Sequence, residues 1–160
     1  MKMRTMPVGK AFVSIVLGAV MGPLSLGAHA AGPRVVELTQ TACQFIESEG
    51  NVERGYRTRE AADCKAINEQ TAAVRVTEAQ PLKLKPGKYV FRVANRDVPY
   101  ELSFWLRPAR LVDRISLPSV SGGGLVTGKT QNYAIELKPG RYLYSCPLNP
   151  TPDYQLIVEG

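Results

Sequence analysis

Apolar and polar residues alternate along most of the second half of the chain. In 88–95, for example, Tyr89, Phe91 and Val93 fall on one face. A period of two is typical of a half-buried β-strand, whose successive side chains point to opposite faces. The pattern predicts strands at 74–78, 81–85, 88–95, 100–107, 130–137, 141–146 and 154–159, and a first strand within 34–46. Short strands at such close spacing predict an all-β fold, an antiparallel sandwich or barrel.

One eight-residue pattern occurs twice, as LKPGKYVF over 84–91 and as LKPGRYLY over 137–144. Proline presets the first position of a turn and glycine supplies positive φ at the second, so each copy predicts a turn before an aromatic strand. Two copies are too few for a repeat fold. We therefore expect the same type of hairpin to occur twice in one sandwich. The glycine run at 121–124 predicts a flexible connection between sheets.

A helical insert of about 47–73 is predicted between the first strand and the rest. Thr58 to Ala73 has helix-forming composition and no interior Gly or Pro, with Thr58 as the candidate N-cap. Three carboxylates open the insert, Glu47, Glu49 and Glu53. We expect them to lie in a solvated loop that the arginines following them neutralise, although they could also furnish oxygen ligands.

The first thirty residues have a different character. A basic start is followed by an apolar run from Ala11 to Gly27 and by Ala28-His29-Ala30, which predicts a secretory signal peptide over 1–30. Cleavage would leave one domain, 31–160, and removing Lys2, Arg4 and Lys10 lowers the formal charge from +6 to +3. The run is short of the roughly 20 residues that a membrane span needs, so an uncleaved anchor is the weaker alternative. We expect a periplasmic protein with no membrane span after processing.

Three cysteines, Cys43, Cys64 and Cys146, would then stand in an oxidising compartment. Three single-bridge pairings are open, and each leaves one thiol. We favour Cys43–Cys64, which closes a loop of about 20 residues and would contribute roughly 3 kcal/mol. Cys146 is then a free thiol; the alternatives are that it is a small buried hydrophobe or that it bridges to Cys43.

Composition weighs against several activities. No His and no Met occur beyond residue 30, and hydrolytic or acyl-transfer sites usually combine a nucleophile with a His or Lys base. A charge of +3 with interleaved acids does not favour nucleic-acid binding. We therefore predict no catalytic residues, no enzyme activity and no nucleic-acid partner.

The C-terminal half resembles the cupredoxins. The run PGRYLYSC at 139–146, followed by YQLIVEG at 154–160, is similar to their last hairpin, and NRDVPYE at 95–101 is similar to the segment that carries their first copper histidine. The resemblance covers about 76–160 and implies a cupredoxin-like Greek-key β-sandwich. Tyr100 stands in the place of that histidine, and Asn149 and Pro152 stand in the places of the second His and the Met. A blue-copper site needs two His and a Cys thiolate, so type 1 copper is excluded.

The chain is also similar to the cupredoxin-like domain of EfeO-type periplasmic iron-uptake proteins, which likewise lacks the histidines. Cys43, Glu101 and Cys146 match that domain. The resemblance implies a metal-binding role, with iron or copper held through thiolate and carboxylate, and a periplasmic transport or redox protein as a further partner. The alternative is a metal-free sandwich that binds a protein partner through loops such as 108–125 and 147–153.

Overall fold

A computed structural model describes residues 1–3 and 32–160. It shows a fold that is mostly β. The elements are β1 (Arg34–Thr41), β2 (Gln44–Phe45), α1 (Ala61–Glu78), β3 (Leu82–Leu84), β4 (Gly87–Asn95), β5 (Leu102–Pro108), β6 (Val120–Leu125), β7 (Thr130–Leu137), β8 (Gly140–Ser145) and β9 (Tyr154–Val158), with 3₁₀ turns at Glu47–Glu49 and Leu111–Ile115. Residues Ala31–Gly160 form one compact unit. The signal peptide falls almost wholly outside the described residues and stays a prediction.

The strands form two sheets in a β-sandwich-like arrangement. The first has the order β2-β1-β4-β7 and the second β3-β9-β8-β5-β6. Two pairs, β1 with β4 and β3 with β9, are parallel, whereas the remaining pairs are antiparallel. The expectation of a purely antiparallel fold is therefore wrong. Parallel strands need a crossover of a dozen or more residues. The connection that contains α1 provides it for β1 and β4, and the stretch from β4 to β8 provides it for β3 and β9.

Both copies of the LKPG pattern connect the two sheets. β3 belongs to the second sheet and β4 to the first, and the chain crosses back from β7 to β8. Each copy closes its corner in the same way: the Tyr89 hydroxyl donates to the carbonyl of Lys85 and the Tyr142 hydroxyl to that of Lys138, both at 2.9 Å. A Cβ on Gly140 would lie 2.6 Å from Cδ1 of Leu117, so any larger residue there would require the Leu117 side chain to shift. The turns lie where predicted, but they are corners between sheets and not hairpins.

Aromatic rings from both sheets fill the space between them. Phe91 of β4 stacks on Phe104 of β5 with centroids 5.5 Å apart, and Phe104 lies 5.0 Å from Tyr133 of β7. Phe45 packs edge-on against Tyr144 at 5.6 Å. Offset and edge-to-face contacts of this kind stabilise a core beyond the area that the rings bury. The alternation in 88–95 is confirmed, because the side chains of Tyr89, Phe91 and Val93 are all buried.

The helix is longer than the sequence predicted, and its inward face is polar. α1 runs on to Glu78, so the predicted strand 74–78 is its last turn. The N-cap is Glu60, which forms a capping box with Asp63, and not Thr58. Asn68, Thr71 and Arg75 recur at helical spacing, and the Arg75 guanidinium donates to Asn68 Oδ1 at 2.7 Å. The sequence prediction depended on helix-forming composition and did not identify this face.

The glycine run, expected as a flexible connection, is strand β6. It pairs with β5 alone and forms one edge of the second sheet. A Cβ on Gly122 would lie 3.0 Å from Cε1 of Tyr133. The small residue lets the edge strand lie against the opposite sheet, so close approach explains this glycine better than flexibility does.

A buried ion pair fastens α1 to the sandwich. Arg75 is 1% exposed, and it donates to Glu49 from Nη2 at 2.6 Å and to the carbonyl of Cys43 at 2.8 Å. Glu49 also accepts hydrogen bonds from Arg54 and from the Tyr154 hydroxyl. Burial by itself would raise the pKa of Glu49, but the hydrogen bonds from Arg75, Tyr154 and Arg54 outweigh it, and the pKa is lowered.

Within the described residues, no helix is long and apolar enough to cross a membrane.

Replacing Arg75 with Met should lower the free energy of unfolding by about 3 to 5 kcal/mol, because a buried carboxylate loses its main partner. Urea unfolding followed by the fluorescence of Trp105 measures this. Arg92→Met is the matched control: it breaks the exposed pair with Glu37, 3.1 Å apart, and should cost no more than about 1 kcal/mol. Equal losses in the two variants would contradict the assignment.

Acid should remove the stabilisation that Glu49 provides. Because its pKa is lowered in the folded state, this contribution is fully present above the unfolded pKa of about 4.3 and is lost as pH falls through the lower folded value. Urea unfolding across that acidic range should show a shallower pH dependence in Glu49→Gln. Glu136→Gln, which alters an exposed carboxylate on β7, should retain the slope of the parent protein; a Glu49→Gln slope equal to the parent's would disprove the role.

Candidate functional site

A disulfide joins Cys43 to Cys64, as predicted. It links the corner between β1 and β2 to the first turn of α1, and both cysteines are fully buried. Cys43 has a φ of +64°, which is unusual for a residue other than glycine. Its carbonyl accepts the Arg75 hydrogen bond, so the bridge and the buried ion pair hold the same corner. A bridged Cys43 provides no thiolate for a metal.

Cys146 is the free cysteine, and it is buried directly after β8. Its Sγ accepts hydrogen bonds from the backbone N–H of Ser103 at 3.3 Å and of Asn149 at 3.2 Å. Burial raises the pKa of the Cys146 thiol, and these hydrogen bonds only partly oppose it. The side chain is therefore a protonated thiol at neutral pH and a poor nucleophile.

Asn149 contacts all three cysteines. It is fully buried, and its Oδ1 accepts the backbone N–H of Cys43 at 3.0 Å while lying 3.0 Å from Sγ of Cys64. Its Nδ2 donates to the carbonyl of Thr41 at 3.0 Å, and its backbone N–H bonds to Cys146. Sequence reasoning treated Asn149 only as the replacement for a histidine. A polar residue enclosed by Pro147, Pro150 and Pro152 was the available signal that it has a structural role.

Tyr100 completes this cluster. Its hydroxyl oxygen lies 3.3 Å from Asn149 Oδ1, 3.2 Å from Thr58 Oγ1 and 3.8 Å from Sγ of Cys64. Burial raises the pKa of Tyr100, so the hydroxyl keeps its proton. Tyr100 and Asn149 are thus hydrogen-bonded to each other. We call Tyr100, Cys146, Asn149 and the disulfide the polar cluster.

Glu101 has a separate structural role. Its carboxylate is exposed, and Oε1 accepts the backbone N–H of Gly124 at 2.7 Å. A Cβ on Gly123 would lie 3.0 Å from that same oxygen. Glu101 therefore holds the end of β6, and the small residues beside it leave room for the contact. In the part of the chain that the structure describes, no three His, Cys, Asp or Glu side chains are grouped so that they could hold a metal ion.

The three carboxylates of the insert make three different contacts. Glu47 accepts the backbone N–H of Thr39 at 2.7 Å, and Glu53 pairs with Arg96 at 3.1 Å. Glu49 is buried in the ion pair with Arg75. Arg54 pairs with Glu49, so the expected neutralisation by a following arginine is confirmed for this carboxylate. Glu49 is buried, so the prediction that it lies in a solvated loop is wrong.

No protein-family model matches the chain, and no curated protein gives a significant match. The functional interpretation therefore depends on the contacts described above.

The Cys146 thiol should be unreactive in the folded protein. Because it is buried and its pKa is raised, a thiol reagent such as 5,5′-dithiobis(2-nitrobenzoate) should report no fast thiol until urea is added, and then one. Ser121→Cys, which places a thiol at an exposed position of β6, should add one fast thiol as the control. Fast labelling of the parent protein that Cys146→Ser abolishes would contradict this description.

Proposed function

We propose that this protein is an exported, cupredoxin-like Greek-key β-sandwich without a type 1 copper centre, and that it serves as a metal-free scaffold for a protein partner. The strand order supports the fold assignment: β8 and β9 form the last hairpin, with Cys146 between them, and both LKPG corners move the chain from one sheet to the other. The buried disulfide supports export, since such bridges persist in oxidising compartments such as the periplasm.

The observation that carries this proposal is the closed polar cluster. A type 1 copper ion needs two imidazole nitrogens and a thiolate. Here the two corresponding side chains are a protonated phenol and an amide, and both polar atoms of the Asn149 amide already have protein partners. The residues present do not fit a blue-copper ion.

A site made of thiolate and carboxylate is supported no better. Cys43 is held in the disulfide, Glu101 is bonded to Gly124, and Cys146 is buried with its sulfur accepting backbone hydrogen bonds. The donor set that the sequence suggested for iron or copper is thus engaged in other contacts. Binding of iron or copper at Cys146, Glu101 and Cys43 stays a prediction, and the scaffold role does not require it.

The surface beside the polar cluster suits contact with a protein. Leu148 is an exposed aliphatic residue, and Val126 is exposed in the loop that follows β6. Leu148 lies in the 147–153 loop, whose prolines fix the backbone and lack N–H donors. A rigid loop loses little conformational freedom when it binds, which favours a preformed contact surface.

Native mass spectrometry of the protein recovered from the periplasm tests the metal-free part of the proposal. After addition of Fe(II), Cu(I) or Cu(II), we expect the mass of the apo protein with one disulfide, and the same result for Cys146→Ser. If the parent protein binds one metal ion and Cys146→Ser abolishes that binding, the proposed scaffold role is overturned and a metal-handling role is supported.

Photo-crosslinking in living cells tests the proposed contact with a protein partner. A benzophenone amino acid in place of Leu148 should give a protein adduct of one defined mass, whereas the same amino acid in place of Val35, exposed on β1, should not. Equal adducts from both positions, or none from position 148, would count against a partner at this loop.

A further inference from the structure

The 3₁₀ turn Leu111–Ile115 carries a concentrated group of exposed aliphatic side chains. Leu111 is 72% exposed, Val112 69% and Ile115 95%, and no residue of the turn is buried. Single exposed aliphatics are ordinary on protein surfaces. Three on one turn form an apolar tip, and contiguous apolar patches mark contact sites.

Positive charge surrounds this tip. Arg110 and Arg114 belong to the same segment, and Lys138 and Arg141 flank the neighbouring corner between β7 and β8, with the Lys138 ammonium donating to the Ser116 carbonyl at 3.4 Å. Asp113 is the acid of the turn, and Arg110 already pairs with it at 2.8 Å. The tip and its border therefore present a net positive surface.

A cleft lies between the turn and that corner. Its volume is about 620 Å³, and its polar lining consists of Arg141, Ser116 and the paired Arg110 and Asp113. Guanidinium groups bind phosphate oxygens through paired N–H donors, and a hydroxyl can donate as well. The cleft therefore has the size to accept a phosphate-bearing group next to the apolar tip, and the Arg141 guanidinium is the donor available to it.

We propose that this end of the domain, the turn Leu111–Ile115 with its basic border, binds the surface of an anionic phospholipid bilayer. In this arrangement the three aliphatic side chains enter the boundary between headgroups and acyl chains, and the arginines contact lipid phosphates. An apolar insertion combined with a basic patch supplies the two signals that stable peripheral binding requires. An exposed apolar tip within a basic border fits a lipid surface better than it fits a protein, which would have to provide a matching apolar socket with acidic margins.

The proposed lipid contact lies at the opposite end of the second sheet from Cys146. β5 runs from near Cys146, where Ser103 bonds to its sulfur, to Pro108, which pairs with Tyr142 at the start of β8. The turn follows β5 at that far end. Membrane contact would leave the polar cluster and the 147–153 loop free, so this inference does not depend on the proposed partner site.

Cosedimentation with vesicles tests the proposal on protein recovered from the periplasm. Binding is expected to vesicles of phosphatidylethanolamine with phosphatidylglycerol, and to be much weaker with phosphatidylcholine alone. The triple variant Leu111→Ser, Val112→Ser, Ile115→Ser should bind the anionic vesicles roughly tenfold or more weakly, because three apolar side chains no longer insert. Trp105, the single tryptophan, lies near Arg114, so its quenching by brominated lipid acyl chains provides a second readout.

Matched controls separate the turn from general surface effects. Val35→Ser, Val52→Ser and Val74→Ser together remove exposed valines elsewhere and should leave binding unchanged. Arg114→Gln with Arg141→Gln should weaken binding to anionic vesicles, whereas Lys65→Gln with Lys83→Gln should do so far less. All variants share one N-terminus, so residues before the domain cannot account for a difference. Equal binding by the two triple variants, no binding to either vesicle, or self-association through the turn without lipid binding would each overturn the proposal.

Discussion

The guanidinium of Arg75 reaches from the helix to both sheets at one point. It bonds to Glu49 and to the carbonyl of Cys43 in the corner after β1, and Glu49 in turn accepts the hydroxyl of Tyr154 on β9. A buried charge without a partner is strongly destabilising, so each of these groups requires the others. The inward face of α1, the first 3₁₀ turn and the strained backbone of Cys43 follow from this arrangement.

The same corner determines the character of the polar cluster. Arg75 holds the Cys43 carbonyl and Asn149 holds its N–H, while the disulfide ties its side chain to α1. Asn149 can make these contacts only when the 147–153 loop folds over the corner. This end of the sandwich is therefore closed by hydrogen bonds between the helical insert and the last hairpin, and Cys146 remains a buried thiol behind them.

The two ends of the second sheet differ in chemistry. One end carries the polar cluster, with its hydrogen-bonding groups satisfied internally and a rigid proline-rich loop at the surface. The opposite end carries the apolar tip Leu111–Ile115 within a basic border. Because both ends are built on β5 and β8, the rigid sheet sets their separation and orientation, which suits a protein that contacts two different surfaces at once.

Local sequence determined the strands with clear alternation, the two Pro-Gly turns and the favoured cysteine pairing, because each depends on nearby residue types and spacing. It did not determine that β1 and β4 are parallel, that the corners join different sheets, or that 74–78 is helical, since these depend on contacts between distant segments. Val74 and Val76 mimic strand alternation, and only the burial of Arg75 against Glu49 selects the helix. The likeness to metal-binding domains singled out Cys43, Glu101 and Cys146, yet tertiary structure assigns them to a disulfide, a strand end and a buried thiol. A side chain's chemistry depends on which distant groups reach it, and folding alone decides that.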